Sequence, residues 1–302
     1  MRSIRARVAL ALLASVLLRS GVASGAEPAT AISPAPAKRV VSLNPSLTSI
    51  LVALGAADAL VGVDDFSARQ EPGVAGLPRV GGLYDPNLEA VVTLRPDLVV
   101  LVHSVQQRDF LEQLRGVGIP VLELDPTSFE DVLRSIETLG ARVGRPETAR
   151  TRVAEIREAK REVERVASDR KRPRTVLVLQ RDPLYVVGRG SFIDEMLVAA
   201  GADNVAGGLA EPYPRAGLEW LVAAAPELIL DAASDPEPAA AYWSRWSSMP
   251  AVKANRIVAV DAGLVTLPGP ALDRALVALS RAIQGVEPPR ADDSAAPREP
   301  AR

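Results

Sequence analysis

The sequence has no cysteine, a single histidine and few aromatics, 4% of its 302 residues. Without cysteine there is no disulfide, no thiol nucleophile and no thiolate metal cluster, so apolar cores alone must hold the fold. The lone histidine, His103, cannot build a multi-histidine metal site. No apolar run beyond the first residues approaches the ~20 residues that cross a bilayer as a helix. Charge of one sign is not in excess either, with 35 basic residues against 37 acidic, and no nucleic-acid partner is expected. Motifs of common catalysis are missing as well. "GRGS" at 188–191 opens a helical pattern but lacks the length and the Lys-Ser of a nucleotide loop. No serine sits in a hydrolase elbow. Asp64 and Asp65 are neighbours, and neighbours on an extended segment point to opposite faces. Catalytic residues, resident cofactors and metal ligands are therefore not expected, and the residues do not read as those of an enzyme.

The 48% of hydrophobic residues and 24% of charged ones suit an ordinary globular protein with room for two cores. At the N-terminus, "MRSIRAR", the apolar "VALALLASVLL" and the small residues "SGA" read as a cleaved secretory signal over residues 1–26. The cysteine that a lipid-anchored export signal needs is absent, so the mature chain is expected to be freely soluble. Residues 27–38, rich in Pro and Ala, read as a flexible tether, and residues 285–302 as a disordered tail. Between them, short aliphatic runs alternate with helical patterns, the signature of βα units around mainly parallel sheets. Strands are expected at 39–43, 59–63, 97–102, 119–124, 174–179, 227–231 and 256–260. Helices are expected at 46–54, 87–94, 106–116, 128–143, 191–200, 217–224, 237–247 and 270–284.

One pattern occurs twice. "LEAVVTLRPDLVVL" at 88–101 returns as "LEWLVAAAPELIL" at 218–230, with a constant offset of 130 that pairs Glu89 with Glu219, Pro96 with Pro226 and Asp97 with Glu227. A second echo joins "ALGAADALVG" (53–62) to "AAGADNVAGG" (199–208), each closing a helix at a glycine. Between the copies, residues 145–173 are mostly charged, with Ala149, Val153, Ile156, Val163 and Val166 at helical spacing and Pro146 where a helix start tolerates it. The fold class expected is therefore α/β, with two βα lobes, 39–144 and 174–284, joined by one long interdomain helix.

The stretches "RVVSLNPSLTSILVALGAADALVGVDDFS", "LPRVGGLYDPNLEAVVTLRPDLVV" and "VLELDPTSFEDVLRSIETLGARVG" resemble the N-terminal lobe of the periplasmic substrate-binding proteins of cobalamin, iron-siderophore and haem ABC importers. "VVGRGSFIDEMLVAAGADNVA", "LEWLVAAAPELIL" and "WSSMPAVKANRIVAVD" resemble the C-terminal lobe, so the likeness runs in order from about 39 to 284. The resemblance implies a fold of the helical-backbone metal receptor type that hinges little, holds a metal chelate between its lobes and delivers it to an inner-membrane permease dimer. It also implies that one glutamate per lobe docks on the permease, a role that falls here to Glu89 and Glu219. Residues near a helix start favour a carboxylate in any case.

The resemblance places the cleft loops at 44–46, 64–67, 81–85, 102–105, 180–185, 211–215 and 261–269. From these loops the expected ligand-binding residues are Asn44, Pro45, Asp65, Phe66, Leu83, Tyr84, His103, Arg181, Tyr185, Tyr213, Arg215 and Leu264. A large flat ligand wants aromatic walls with a few polar fixers, which Phe66, Tyr84, Tyr185 and Tyr213 could supply. The chain departs from the cobalamin pattern where Leu83 and Tyr84 stand in place of an early tryptophan and where "GLVTLPG" carries no charge. A corrinoid-like ligand is the first expectation. Haem, with His103 or Tyr84 as axial ligand, and a ferric siderophore held by Arg181, Arg189 and Arg215 remain open. So does a two-lobed module with no small ligand.

Overall fold

The computed structural model describes residues 35–104 and 108–284. The proposed signal, most of the tether, the first residues of the helix expected at 106–116 and the tail lie outside them.

Two separate sheets form. In the N-terminal lobe β1 (Val40–Ser42), β2 (Leu60–Val63), β3 (Leu98–Val102) and β4 (Val121–Leu124) align in the order β2-β1-β3-β4, and every pairing is parallel. In the C-terminal lobe β5 (Arg174–Gln180) pairs in parallel with β8 (Leu228–Asp231), which pairs with β9 (Ile257–Ala259). Two short strands escaped the sequence reading. β6 (Tyr185–Val186) runs antiparallel beside β5, and β7 (Asp203–Asn204) lies parallel to its start. Two residues are too few for any periodicity to reveal.

Parallel strands covered on both faces read as continuous aliphatic runs, and alternation along each strand feeds two cores. Val40, Leu98 and Val100 enter one core, which continues through Leu177, Leu228 and Leu230 of the other lobe. Val41, Val99 and Leu101 enter an outer N-lobe core, whereas Val178 and Ile229 enter an outer C-lobe core. The shared core is threaded by α6 (Pro146–Ala167), whose Ala149, Val153, Ile156 and Val163 are buried in it. The interdomain helix thus ends at Ala167, short of the expected 173.

Against α6 lie α5 (Phe129–Arg142) from one lobe and α12 (Leu272–Gln284) from the other. Gly140 of α5 has to be glycine, because a β-carbon there would strike that of Ala149. Arg152 of α6 donates from Nε to the Pro270 carbonyl at 2.7 Å and pairs with Asp273 of α12. The lobes also touch directly. Phe192 N–H, in α7 (Phe192–Ala199), donates to Thr127 O at 2.8 Å, and Phe129 N–H donates to Glu195 Oε1 at 3.1 Å.

The repeat is present in the backbone. α3 (Leu88–Thr93) and α8 (Leu218–Ala224) each lead into the central strand of a sheet. Each ends at a residue of positive φ, Arg95 at 48° and Ala225 at 46°, 130 positions apart. The acid after each proline ties down the first strand of its lobe: Asp97 accepts the N–H groups of Lys38 and Arg39, and Glu227 that of Arg174. Arg39 Nη2 and Arg174 Nη2 then cap Leu94 O and Ala224 O at 2.7 and 2.8 Å. The Pro-acid motif is therefore a lock between strand and helix. Just before β1, Ala37 N–H donates to Arg142 O at the end of α5.

Three further differences are local. Residues 64–67, read as a loop, lead into α2 (Asp65–Gln70), because buried Asp64 accepts the N–H groups of Phe66 and Ser67 as a helix cap. The helix expected at 237–247 is α9 (Ala239–Trp243), followed after a turn by α10 (Pro250–Lys253). The loop at 261–269 contains α11 (Ala262–Val265), capped by Asp261. The remaining helices, α1 (Pro45–Ala53) and α4 (Arg108–Gly116), fall where expected.

Candidate functional site

The strands of both sheets deliver their C-terminal ends to one cleft, the place where open parallel sheets bind ligands. A cavity of about 470 Å³ lies there. From the N-lobe its wall takes Asn44, Pro45 and Ser46 after β1, Gln70 at the end of α2, Val102 at the end of β3 and Pro126 after β4. The C-lobe contributes Ser234 after β8, with Ala262, Gly263, Thr266, Leu267 and Pro268 of the α11 region. None of these side chains is charged. Amide and hydroxyl groups, from Asn44, Ser46, Gln70, Ser234 and Thr266, are set among small apolar ones.

Local chemistry holds that wall in shape. Asn44 Oδ1 accepts from Ser46 N–H at 2.9 Å and caps α1. Behind it a buried chain of hydroxyls joins Ser42 and Ser67 through Thr48, each at 2.8 Å, and Ser67 bonds Asp64. The Asp64 carboxylate thus serves as the cap of α2. "GRGS" has a similar structural task, since Ser191 caps α7 by accepting Asp194 N–H.

The predicted residues divide by position. Asn44 and Pro45 line the cavity, and Leu264 sits in α11 beside its lining residues. Phe66 is 42% exposed one helical turn before Gln70, with the Arg69 guanidinium 4.6 Å from its ring. Asp65, half-buried, begins α2 and donates its N–H to Gly81 O. Tyr84 is 67% exposed in the turn closed by the Gly81 and Pro86 bridge, with half-buried Leu83 beside it. His103 follows Val102; its Nδ1 meets Glu123 Oε2 at 3.1 Å, and Glu123 also binds Arg115.

On the C-lobe side, residues 212–216 run along β6 as a further edge, with Gly188 N–H donating to Pro212 O and Val186 N–H to Pro214 O. This brings Tyr185 opposite Arg215. Tyr213, 41% exposed, reaches the Ser191 hydroxyl; burial raises its phenol pKa and that hydrogen bond opposes the rise. Ser191 adjoins Phe192, the residue bonded across to the N-lobe, so Tyr213 stands near the junction of the lobes. Arg215 is exposed and forms no ion pair among the described residues.

Arg181 departs from its expected role as a cleft cation. It is 6% exposed, with Nε 3.0 Å from Asp231 Oδ2 and Nη1 2.6 Å from Glu237 O. A guanidinium so committed is not available to an anionic ligand. Arg189 is likewise engaged, donating to Gly207 O. Conversely, Ser234 was not singled out, although it is the 130-residue counterpart of Ser104 in the predicted "VHSV" loop; the repeat itself was the signal. Gln70 was missed because α2 was read as a loop.

Glu89 and Glu219 are each the second residue of their helices, α3 and α8. Both are exposed, and neither forms an ion pair among the described residues. No helix among the described residues is long and apolar enough to cross a membrane.

Relatives share this architecture. An uncharacterised ABC transporter substrate-binding lipoprotein of Bacillus subtilis is 30% identical over 253 residues, 82% of this chain and 80% of that protein. A vitamin B12-binding protein of Vibrio cholerae is 25% identical over 247 residues, 80% of this chain and 88% of its own length. The solved periplasmic haem-binding protein of Pseudomonas aeruginosa superposes with a TM-score of 0.71 at 30% identity, covering 82% of this chain and 92% of that one. The model of the family described as periplasmic binding protein matches residues 40–264. With two βα lobes on one helical spine and a cleft at their strand ends, the chain belongs to the periplasmic binding protein family.

Proposed function

We propose that this protein is the soluble periplasmic component of an ABC importer, a monomer that captures a corrinoid-like metal chelate between its lobes and delivers it to a permease dimer. It acts by binding and not by catalysis. The observation that carries the choice of ligand is the uncharged cleft wall, built by both lobes from amide, hydroxyl and small apolar groups. A desolvated anion meets no counter-charge on that wall, whereas a ring edged with neutral amides finds hydrogen-bond partners and apolar contact. Phe66, Tyr84, Tyr185 and Tyr213 are the candidate aromatic flanks. Asp65, Leu83 and Leu264 belong to the same loops, and Arg215, exposed and without an ion pair among the described residues, is a candidate cation for a peripheral negative group.

Docking is assigned to Glu89 and Glu219. A two-lobed protein meeting a two-subunit partner needs one equivalent charge per lobe, and these are exposed, without an ion pair among the described residues, and at matching helix positions. Exposed ion pairs are individually weak, so the pair sets register and specificity more than affinity.

Haem is the second reading. It is favoured by His103, whose side chain is 64% exposed beside the cavity-lining Val102, with Nδ1 held by Glu123, which orients the ring for an axial bond through Nε2. Ultraviolet–visible titration with cyanocobalamin, haemin and a ferric siderophore tests both. Saturable binding of the corrinoid alone is the expected result. A Soret shift with haemin and no response to the corrinoid replaces the first reading by the second, and no binding of any of the three removes ligand capture.

A further inference from the structure

Arg181 and Asp231 form the most deeply buried ion pair among the described residues, their side chains 4% and 0% exposed. Neither lines the cleft cavity. What they hold is the loop between β8 and α9. Asp231 Oδ1 accepts the N–H of Ala233 at 3.0 Å, and its Oδ2 accepts from Arg181 Nε at 3.0 Å and from the Trp243 indole at 2.5 Å. Arg181 Nη1 donates to the Glu237 carbonyl at 2.6 Å, Nε lies 3.8 Å from Asp235 Oδ2, and the guanidinium sits 4.8 Å from the Tyr242 ring. The bonds fall on both sides of Ser234, the residue this loop contributes to the cavity wall.

The other lobe supplies an internal control. The residue 130 positions before Asp231 is Leu101, also at the end of a central strand, fully buried in the outer N-lobe core without any ion pair. The frame of strand and helix is therefore complete without a charge at this position. A buried pair is weak evidence for stability, since apolar residues of similar volume often serve as well, and its best-attested use is to impose one arrangement.

We propose that Arg181 and Asp231 are positioning residues for the cleft: they fix residues 232–238 so that Ser234 is presented to the ligand at one place, and thereby tune specificity without touching it. Its ligand arm rests on the assignment of the cleft as the binding site; its loop arm does not.

The test is the paired substitution Arg181→Met with Asp231→Leu, which leaves no orphaned charge, followed by amide hydrogen exchange across the whole chain. Exchange across 232–238 should rise about tenfold or more while β5 and the start of β8 keep their protection. Unaltered protection of 232–238 overturns the proposal. Should the double variant fail to fold, Arg181→Lys keeps the charges matched but loses the fork that also reaches Glu237. The same selective loss of protection supports the proposal there, and its absence overturns it. In the ligand arm, affinity for cyanocobalamin should fall about tenfold in the variant with the loosened loop. A loosened loop with wild-type affinity overturns the link to specificity, whereas wild-type protein that ignores the corrinoid overturns the functional reading and leaves the exchange result standing.

Discussion

The two lobes share one frame and finish it differently. Both place an acid after proline against the first strand, an arginine on the last carbonyls of the preceding helix, and a left-handed residue at its end. Beyond that they diverge. The outer N-lobe core is aliphatic apart from Phe110, while the outer C-lobe core packs Trp243 against partly buried Trp220, Tyr242 and Trp246. The N-lobe loop after β3 carries an exposed His103–Glu123 hydrogen bond, and the C-lobe counterpart is clamped from beneath by a buried ion pair. The lobes thus share what makes a sheet and helix pack, and differ in what faces the cleft. On the proposed function, ligand recognition would belong to the second category and partner recognition to the first.

The largest effect we expect comes from removing the equivalence the lobes retain. Glu89→Ala with Glu219→Ala should abolish transporter-dependent uptake and leave ligand affinity in solution intact. Each single variant should lose a similar share of uptake; uptake unchanged in the double variant would falsify the docking assignment. Next, Ile156→Pro, at the buried centre of α6, should cost about 3 kcal/mol or more. Because the shared core crosses both lobes, denaturant unfolding should show the loss in one transition for the whole molecule. Two separate transitions, or full stability, would mean that the halves are independent. Tyr213→Ala should weaken ligand binding by on the order of 1–3 kcal/mol, measured by titration, whereas removal of the more exposed Tyr84 ring should matter less. Equal effects would erase the distinction drawn between the two flanks.

Smaller effects probe the frame. Ala225→Gly relieves a left-handed alanine and should stabilise the protein by roughly 0.5–1 kcal/mol, the strain relief being partly offset by the greater freedom of glycine when unfolded. Arg95→Gly should do the same in the N-lobe, and opposite signs in thermal melts would show that the two turns are not equivalent. Smallest is Glu227→Gln. The Lys171 ammonium and the Arg174 N–H lower the Glu227 pKa, so its contribution is complete above about pH 4.3, the usual glutamate value, and is lost as pH falls through the lower folded value. The variant should be slightly less stable than the parent at neutral pH and indistinguishable from it in strong acid.

Much of the frame was legible in the chain. The 3.6-residue spacing of Ala149, Val153 and Ile156 marks α6 because a helix buried along one stripe must repeat that way. The offset of 130 marks the two lobes because an identical lock needs an identical order of residues. The aliphatic runs mark strands covered on both faces. Of the residues expected from loops that resemble known cleft loops, Asn44 and Pro45 line the cavity between the lobes. What could not be read was anything dependent on who stands opposite. Arg181 and Arg215 look alike as residues, yet one is spent on Asp231, fifty positions away, and the other has no anionic partner among the described residues. α2 was hidden because its cap, Asp64, looks like a free carboxylate until its hydrogen bonds are seen. Periodicity and local order are properties of a segment and survive in one dimension; burial, pairing and the charge of a cavity wall arise only when distant segments meet.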